Sequence, residues 1–217
     1  MHRKSYKQNA FERFPNVIHK NYLEKVSFDW EKLFNNSKPL GVELGCSKAG
    51  FLIAMALRRP DFNWLGLELR SPRIWFGAKA ATQLQIPNIR FMQANISELE
   101  NFFLPNSIQE IWLTFPEPHP KKSRAKNRFT HRRFLEIYRK LLRPEGAVFL
   151  KTDNPKLYDF SLQELSDFPC AEILENTENL YNSELKNPYN SLLTGYERSF
   201  LKKGEKTYYI KFTFTKC

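Results

Sequence analysis

The sequence predicts an α/β fold: a doubly wound, mostly parallel sheet with helices on both faces and an antiparallel strand near its C-terminal edge. Three observations predict it. Short apolar runs of strand length alternate with stretches of helical period through most of the chain. A cluster of small residues follows the first of these runs, where an open α/β sheet binds its ligand. The chain then closes on residues 207–215 (TYYIKFTFT), an alternating run with the pattern of a half-buried strand.

The elements follow in order. The first 20 or so residues carry no period and read as a basic arm leading to a short helix near residues 30–34; together, residues 1–35 make an N-terminal piece separate from the domain at 36–217. In that domain strands are expected at 39–45 (PLGVELG), 63–69 (NWLGLEL), 89–94, 108–115 (IQEIWLTF) and 147–152 (AVFLKT). Helices are expected at 49–58, ending before Pro60; at 72–84, with proline in the first turn; at 132–142; and at 155–168.

A chain of 217 residues, 41% hydrophobic and 15% aromatic, can bury the core of one full α/β domain and is not disordered. Its formal net charge of +11 favours a polyanionic partner such as nucleic acid or an acidic membrane surface. No apolar run reaches the roughly 18 residues a membrane helix needs, and the basic, polar first 14 residues do not read as a secretory signal. Cys46, Cys170 and Cys217 are odd in number and lack CxxC spacing, the usage of reduced thiols in the cytoplasm. No His, Cys and Asp cluster shows metal-ligand spacing, so no metal is expected.

The first loop, residues 43–50 (ELGCSKAG), lets backbone approach a ligand at the start of the following helix. Glu68 ends the second strand, 23 residues beyond Gly45. A carboxylate there can accept from both ribose hydroxyls of an adenosine, a geometry that serves NAD and S-adenosyl-L-methionine alike. Small residues after a strand are common, and Glu68 could simply be a solvated strand end. Two details favour the methyl donor. The loop lacks the GxGxxG spacing of a pyrophosphate site. Glu43 is an acid inside an apolar strand and needs a partner, either the cationic end of that cofactor or backbone amides.

After the fourth strand comes TFPEPHPKK, residues 114–122, in which three alternating prolines are expected to hold the backbone extended and to fix Glu117 and Lys121 at the sheet's carboxyl edge. Residues 121–133 (KKSRAKNRFTHRR) hold seven Lys or Arg and no acid, a candidate for phosphate contacts.

These residues resemble the bacterial tRNA (guanine-N7)-methyltransferase family, over about three quarters of the chain. VELGCSKAGF (42–51) is similar to its cofactor loop, LGLELR (65–70) to the strand with its ribose-binding acid, FPEPHPKK (115–122) to its FPDPWPKK, and TGYERS (194–199) to its TxYE-R element. The resemblance implies a Rossmann-like S-adenosyl-L-methionine-dependent methyltransferase that makes 7-methylguanosine at position 46 in the variable region of tRNA. It implies cofactor contacts for Glu43, Gly45, Glu68, Asn95 and Glu117, and substrate contacts for Lys121, Asp153, Thr194, Gly195, Tyr196 and Glu197. Glu117 is the residue expected to act on the reacting guanine, although cofactor anchoring is open to it as well. Asp153 also reads as a helix N-cap before Pro155, and Tyr196 as either a stacking surface or a half-buried aromatic. Arg198 could reach a phosphate or Glu197.

The partners implied are tRNA and no membrane, with the protein a monomer or a homodimer. The chain departs from the family at Glu117, where Asp is usual, and at His119, where Trp is usual. It departs again at Ser47 and Ala49, where glycine is usual and a small residue fits if φ stays negative. Three other readings stand beside this one. A methyltransferase of another RNA base is one, although an amino methyltransferase would show an NPPY-like loop. A nicotinamide-dependent dehydrogenase and a non-catalytic RNA-binding relative are the others.

Overall fold

The structure, a computed structural model, describes residues 13–19 and 29–215. Its centre is an eight-stranded sheet in the order β1-β4-β3-β2-β5-β6-β8-β7. The strands are β1 (Val17–Ile18), β2 (Leu40–Leu44), β3 (Asn63–Glu68), β4 (Ile89–Gln93), β5 (Ile108–Thr114), β6 (Leu142–Thr152), β7 (Ala171–Thr177) and β8 (Tyr208–Phe214). All pairs from β1 through β6 are parallel, whereas β8 runs antiparallel to both β6 and β7. From β2 the chain builds outward through β3 and β4, then returns to place β5 on the other side of β2. That reversal opens a crevice at the carboxyl ends of β2 and β5, where doubly wound sheets bind ligands.

Alternation along each strand feeds two cores. Val42, Leu65, Leu67, Ile111 and Leu113 face one side, which is covered by α1 (Trp30–Phe34), α4 (Arg132–Leu141) and α5 (Pro155–Ser166). Trp64, Phe91 and Trp112 face the other, under α2 (Gly50–Arg58) and α3 (Ser71–Gln83). The helices start where local chemistry stops the chain from extending. Pro72 and Pro155 stand in the first turns of α3 and α5, and the Asn154 side chain accepts from the Leu157 N–H to cap α5.

Each expected strand and helix has a counterpart within a few residues, except that β6 begins at Leu142 rather than 147. Among the described residues of the 36–217 domain, one strand and one α-helix are additional. β7, AEILENT, has only one strongly apolar residue half-buried, because as the outermost strand it needs no continuous apolar face. A helix α6 (Gly195–Leu201) precedes β8. The expected basic arm falls mostly outside the described residues, but β1, within its span, adds a strand beside β4. The thiol expectation needs one correction. Cys46 is a free buried thiol, but Cys170 is disulfide-bonded; Cys217 lies outside the described residues. Among the described residues no helix is long and apolar enough to cross a membrane.

Candidate active site

The crevice is an open cleft of about 930 Å3. Its inner wall starts at the loop between β2 and α2. Gly45 takes φ +75°, a region only glycine enters freely, and turns its N–H and that of Cys46 onto the Leu67 carbonyl at 2.8 and 3.0 Å. Ser47 and Ala49 follow at φ +51° and +61°. The condition of negative φ under which small side chains fit here is therefore met at neither position. The loop keeps the glycine-type turn and holds it with side chains that resist it, at roughly 1–2 kcal/mol each.

What maintains that turn can be named. The Ser47 N–H donates to Glu68 Oε2 at 3.2 Å. The methyl of Ala49 is buried against α3, so close that a Cβ on Gly77 would lie 2.7 Å from it. Replacing Ser47 by glycine should raise stability by about 1 kcal/mol, seen as a Tm higher by roughly 2–4 °C in thermal melts. An unchanged or lower Tm would deny the strain. Ala49→Gly should change little, because the relief is offset by the loss of a buried methyl worth about 0.8 kcal/mol.

Two carboxylates stand behind this loop. Glu68, at the end of β3, is 5% exposed, and its two oxygens accept from the Ser47 and Arg70 amides, with the Arg73 guanidinium 3.5 Å away. Glu68 lines the cleft, and a carboxylate oxygen can accept more than one hydrogen bond. Glu43, on β2, is 2% exposed and accepts from the Thr114 hydroxyl. Its second oxygen, Oε2, is buried without a hydrogen bond. Burial pushes its carboxyl up to about 8, against the Thr114 hydroxyl, the Leu52 amide and the Lys151 ammonium. An orphaned carboxylate oxygen on the wall of a cleft fits a ligand that brings a cation there. Asn95 follows β4 and lines the same wall, its Oδ1 engaged by the Ser97 amide and hydroxyl at 3.1 and 2.8 Å.

The outer rim is built from the loop after β5 and the start of α6. The proline-rich loop is not extended throughout: Phe115 and His119, each preceding a proline, take φ +49° and +42°. Arg128 holds this turn, its guanidinium donating to the Pro118 carbonyl at 3.1 Å and the His119 carbonyl at 3.1 and 3.3 Å, and packing 4.3 Å over the Phe160 ring. One of the seven basic residues thus faces inward, while Lys121, Lys122, Arg124 and Lys126 remain exposed along a short 3-10 turn. The Glu117 side chain is 74% exposed at the cleft mouth, 3.8 Å from His119 Nδ1.

Thr194, Gly195 and Tyr196 line the rim opposite. The Tyr196 hydroxyl donates to Asp153 Oδ2 at 2.6 Å, a bond that pushes the phenol up to about 12, and its ring meets Phe115 and Phe200 edge-on at 5.6 Å and tilted at 5.4 Å. The helix cap before Pro155 is Asn154 rather than Asp153.

The cleft therefore gathers Glu43, Gly45, Glu68, Asn95, Glu117, Thr194, Gly195 and Tyr196. Asp153 reaches it through Tyr196, and Lys121 stands just outside on the basic turn. Glu197 does not face it. That carboxylate is fully buried, closes a capping box with Thr194 and pairs with Lys151 at 2.9 Å. Sequence reasoning passed over Lys151, although a lysine inside AVFLKT posed the same question as Glu43 inside its strand: a charge there requires a partner.

Comparison with known proteins supplies the family. A family model described as "Putative methyltransferase" matches residues 37–210. The tRNA (guanine-N(7)-)-methyltransferase of Cytophaga hutchinsonii is 36% identical over 186 residues, spanning 85% of this chain and 84% of that one. Its counterpart in Bacteroides thetaiotaomicron is 35% identical over 220 residues, spanning 94% and 85%. The chain belongs to the tRNA (guanine-N7)-methyltransferase family. Solved structures share the fold of this family member at low identity. An antibiotic-related methyltransferase superposes with a TM-score of 0.64 at 11% identity, covering 89% of this chain and 98% of that one. The 16S rRNA methyltransferase KamB gives 0.63 at 12%, covering 88% and 96%. The loop of this family member carries Glu117 and His119 at the rim.

Proposed function

We propose that this chain transfers a methyl group from S-adenosyl-L-methionine to N7 of the guanine at position 46 in the variable region of tRNA, in the cytoplasm. The observation that carries the reading is the division of the cleft. A wall of buried carboxylates, with one oxygen of Glu43 unpaired, faces a rim of exposed acid, aromatic and basic groups. Family membership supports the same reading.

Glu43 would take the cofactor's ammonium, Glu68 its ribose hydroxyls, and Gly45 and Asn95 would border it. The bound cofactor supplies an electrophilic methyl on a sulfonium. Guanine N7 already carries a lone pair, so no side chain has to remove a proton before attack. The work left to the chain is placement, worth about 7–11 kcal/mol when two reactants are held in line. Tyr196 offers a ring for the unstacked base, with Asp153 fixing its tilt and Thr194 and Gly195 beside it. Glu117, at the cleft mouth, would stabilise the positive charge that the purine acquires as the methyl arrives. Lys121, Lys122, Arg124 and Lys126 take phosphates and orient the RNA.

The test is incubation with labelled S-adenosyl-L-methionine and unmodified tRNA transcripts, followed by mass spectrometry of the nucleosides. 7-Methylguanosine is expected. Another methylated nucleoside would overturn the target, and bound tRNA without transfer would favour a non-catalytic RNA-binding protein.

A further inference from the structure

Between β7 and β8 the chain leaves the sheet, and this excursion of about 30 residues brings Thr194, Gly195 and Tyr196 to the cleft. A single buried cation fastens it. Lys151, on β6, is fully buried, and its ammonium has three N–H bonds to satisfy. They reach the Tyr181 hydroxyl oxygen at 3.3 Å, the Leu192 carbonyl at 3.1 Å and the Glu197 carboxylate at 2.9 Å. All three acceptors belong to the excursion and none to the sheet.

Glu197 is buried as completely and gathers the same segment from the other side. It accepts from the Tyr181 hydroxyl at 2.6 Å, the Thr207 hydroxyl at 3.3 Å and the Thr194 N–H at 3.2 Å. Residues far apart along the excursion thus converge on one charge pair. Their last bond ends on Thr194 itself, the first residue of the rim.

A buried ion pair is seldom more stabilising than apolar residues of similar size. What it adds is direction. Apolar side chains would hold the segment while tolerating a slide; three bonds from one ammonium do not. Positioning errors of about 1 Å at a reacting centre can lower turnover about 100-fold.

We propose that Lys151 and Glu197 are positioning residues that set where Thr194, Gly195 and Tyr196 stand over the acceptor base. The proposal rests on the reading of that rim as the base-binding side. Neither residue touches substrate; both act through the rim they hold.

The test compares wild type with Tyr181→Phe and with the double variant Lys151→Met/Glu197→Met. Three quantities are measured: affinity for S-adenosylhomocysteine by calorimetry, kcat and KM for tRNA, and amide hydrogen exchange over residues 193–201. In the double variant kcat should fall about 100-fold, with cofactor-product affinity within about threefold of wild type and faster exchange confined to the rim. Tyr181→Phe should lower kcat by about 3- to 10-fold in the same pattern. Wild-type turnover and exchange in the variants would overturn the proposal. So would loss of S-adenosylhomocysteine affinity in step with turnover, because that is what a merely structural pair would produce. If the double variant does not fold, Tyr181→Phe decides alone. A wild type that transfers nothing to tRNA refutes the proposed function instead, and the exchange measurement still judges the network.

Discussion

Between pH 4.5 and about 8, the ligand-free protein should lose stability relative to its Glu43→Gln variant, by on the order of 4–5 kcal/mol in total. Burial raises the Glu43 carboxyl from its ordinary value of 4.5 to about 8, so the folded protein holds a proton there that the unfolded chain releases. The stabilisation is complete below pH 4.5 and is lost as pH rises through 8. Other groups titrate in both proteins and cancel in the difference. Urea unfolding of both at pH 4.5, 6 and 8.5 measures it. A difference that stays constant with pH would mean that Glu43 is ionised in the folded state.

The same proton makes cofactor binding pH-linked. A cation placed against Glu43 favours the carboxylate, so binding near pH 7 should release close to one proton and give a calorimetric enthalpy that depends on the buffer. Glu43→Gln should abolish that dependence and weaken binding together.

Glu117→Gln is expected to lower kcat by about 100- to 1000-fold while cofactor affinity stays within about threefold. The residue is exposed in the free protein, with His119 Nδ1 3.8 Å away, and the hydrogen bonds given for Glu43 and Glu68 in the cofactor wall do not involve it. The amide keeps the shape and removes the negative charge that would oppose the positive purine. Single-turnover kinetics on tRNA and calorimetry with S-adenosylhomocysteine separate the two effects. Weakened cofactor binding with normal turnover at saturation would make Glu117 a cofactor anchor.

Elements and site were legible to different depths. Strands such as VELG and WLGLEL read clearly because buried parallel strands are nearly continuous apolar runs, and the loop after each is where ligands bind. Glu43 stood out because its charge is expensive in that setting. β7 did not, because a half-exposed edge strand can carry Glu172, Glu175 and Asn176 without penalty. Pro116 and Pro120 argued for extended backbone at the residues before them; at His119 the local rule gave way to tertiary bonds from Arg128, and at Phe115 the amide is held by the Lys151 carbonyl instead. Composition marked that arginine as one of a basic run and could not show that it points inward. Thr194 and Glu197 have the spacing of a capping box, a signal for the start of α6 that stood in the sequence and was passed over; the pairing of Glu197 with Lys151 depends on β6 and α6 meeting in space.

The most direct test of the central claim uses two tRNA transcripts that differ by one atom pair, with guanine or 7-deazaguanine at position 46, and follows methyl transfer from labelled S-adenosyl-L-methionine. The account predicts one methyl per guanine-containing transcript and none on the 7-deaza transcript, with both bound equally. Equal methylation of the two would contradict it, because the methyl would then be going to an atom other than N7 of that guanine.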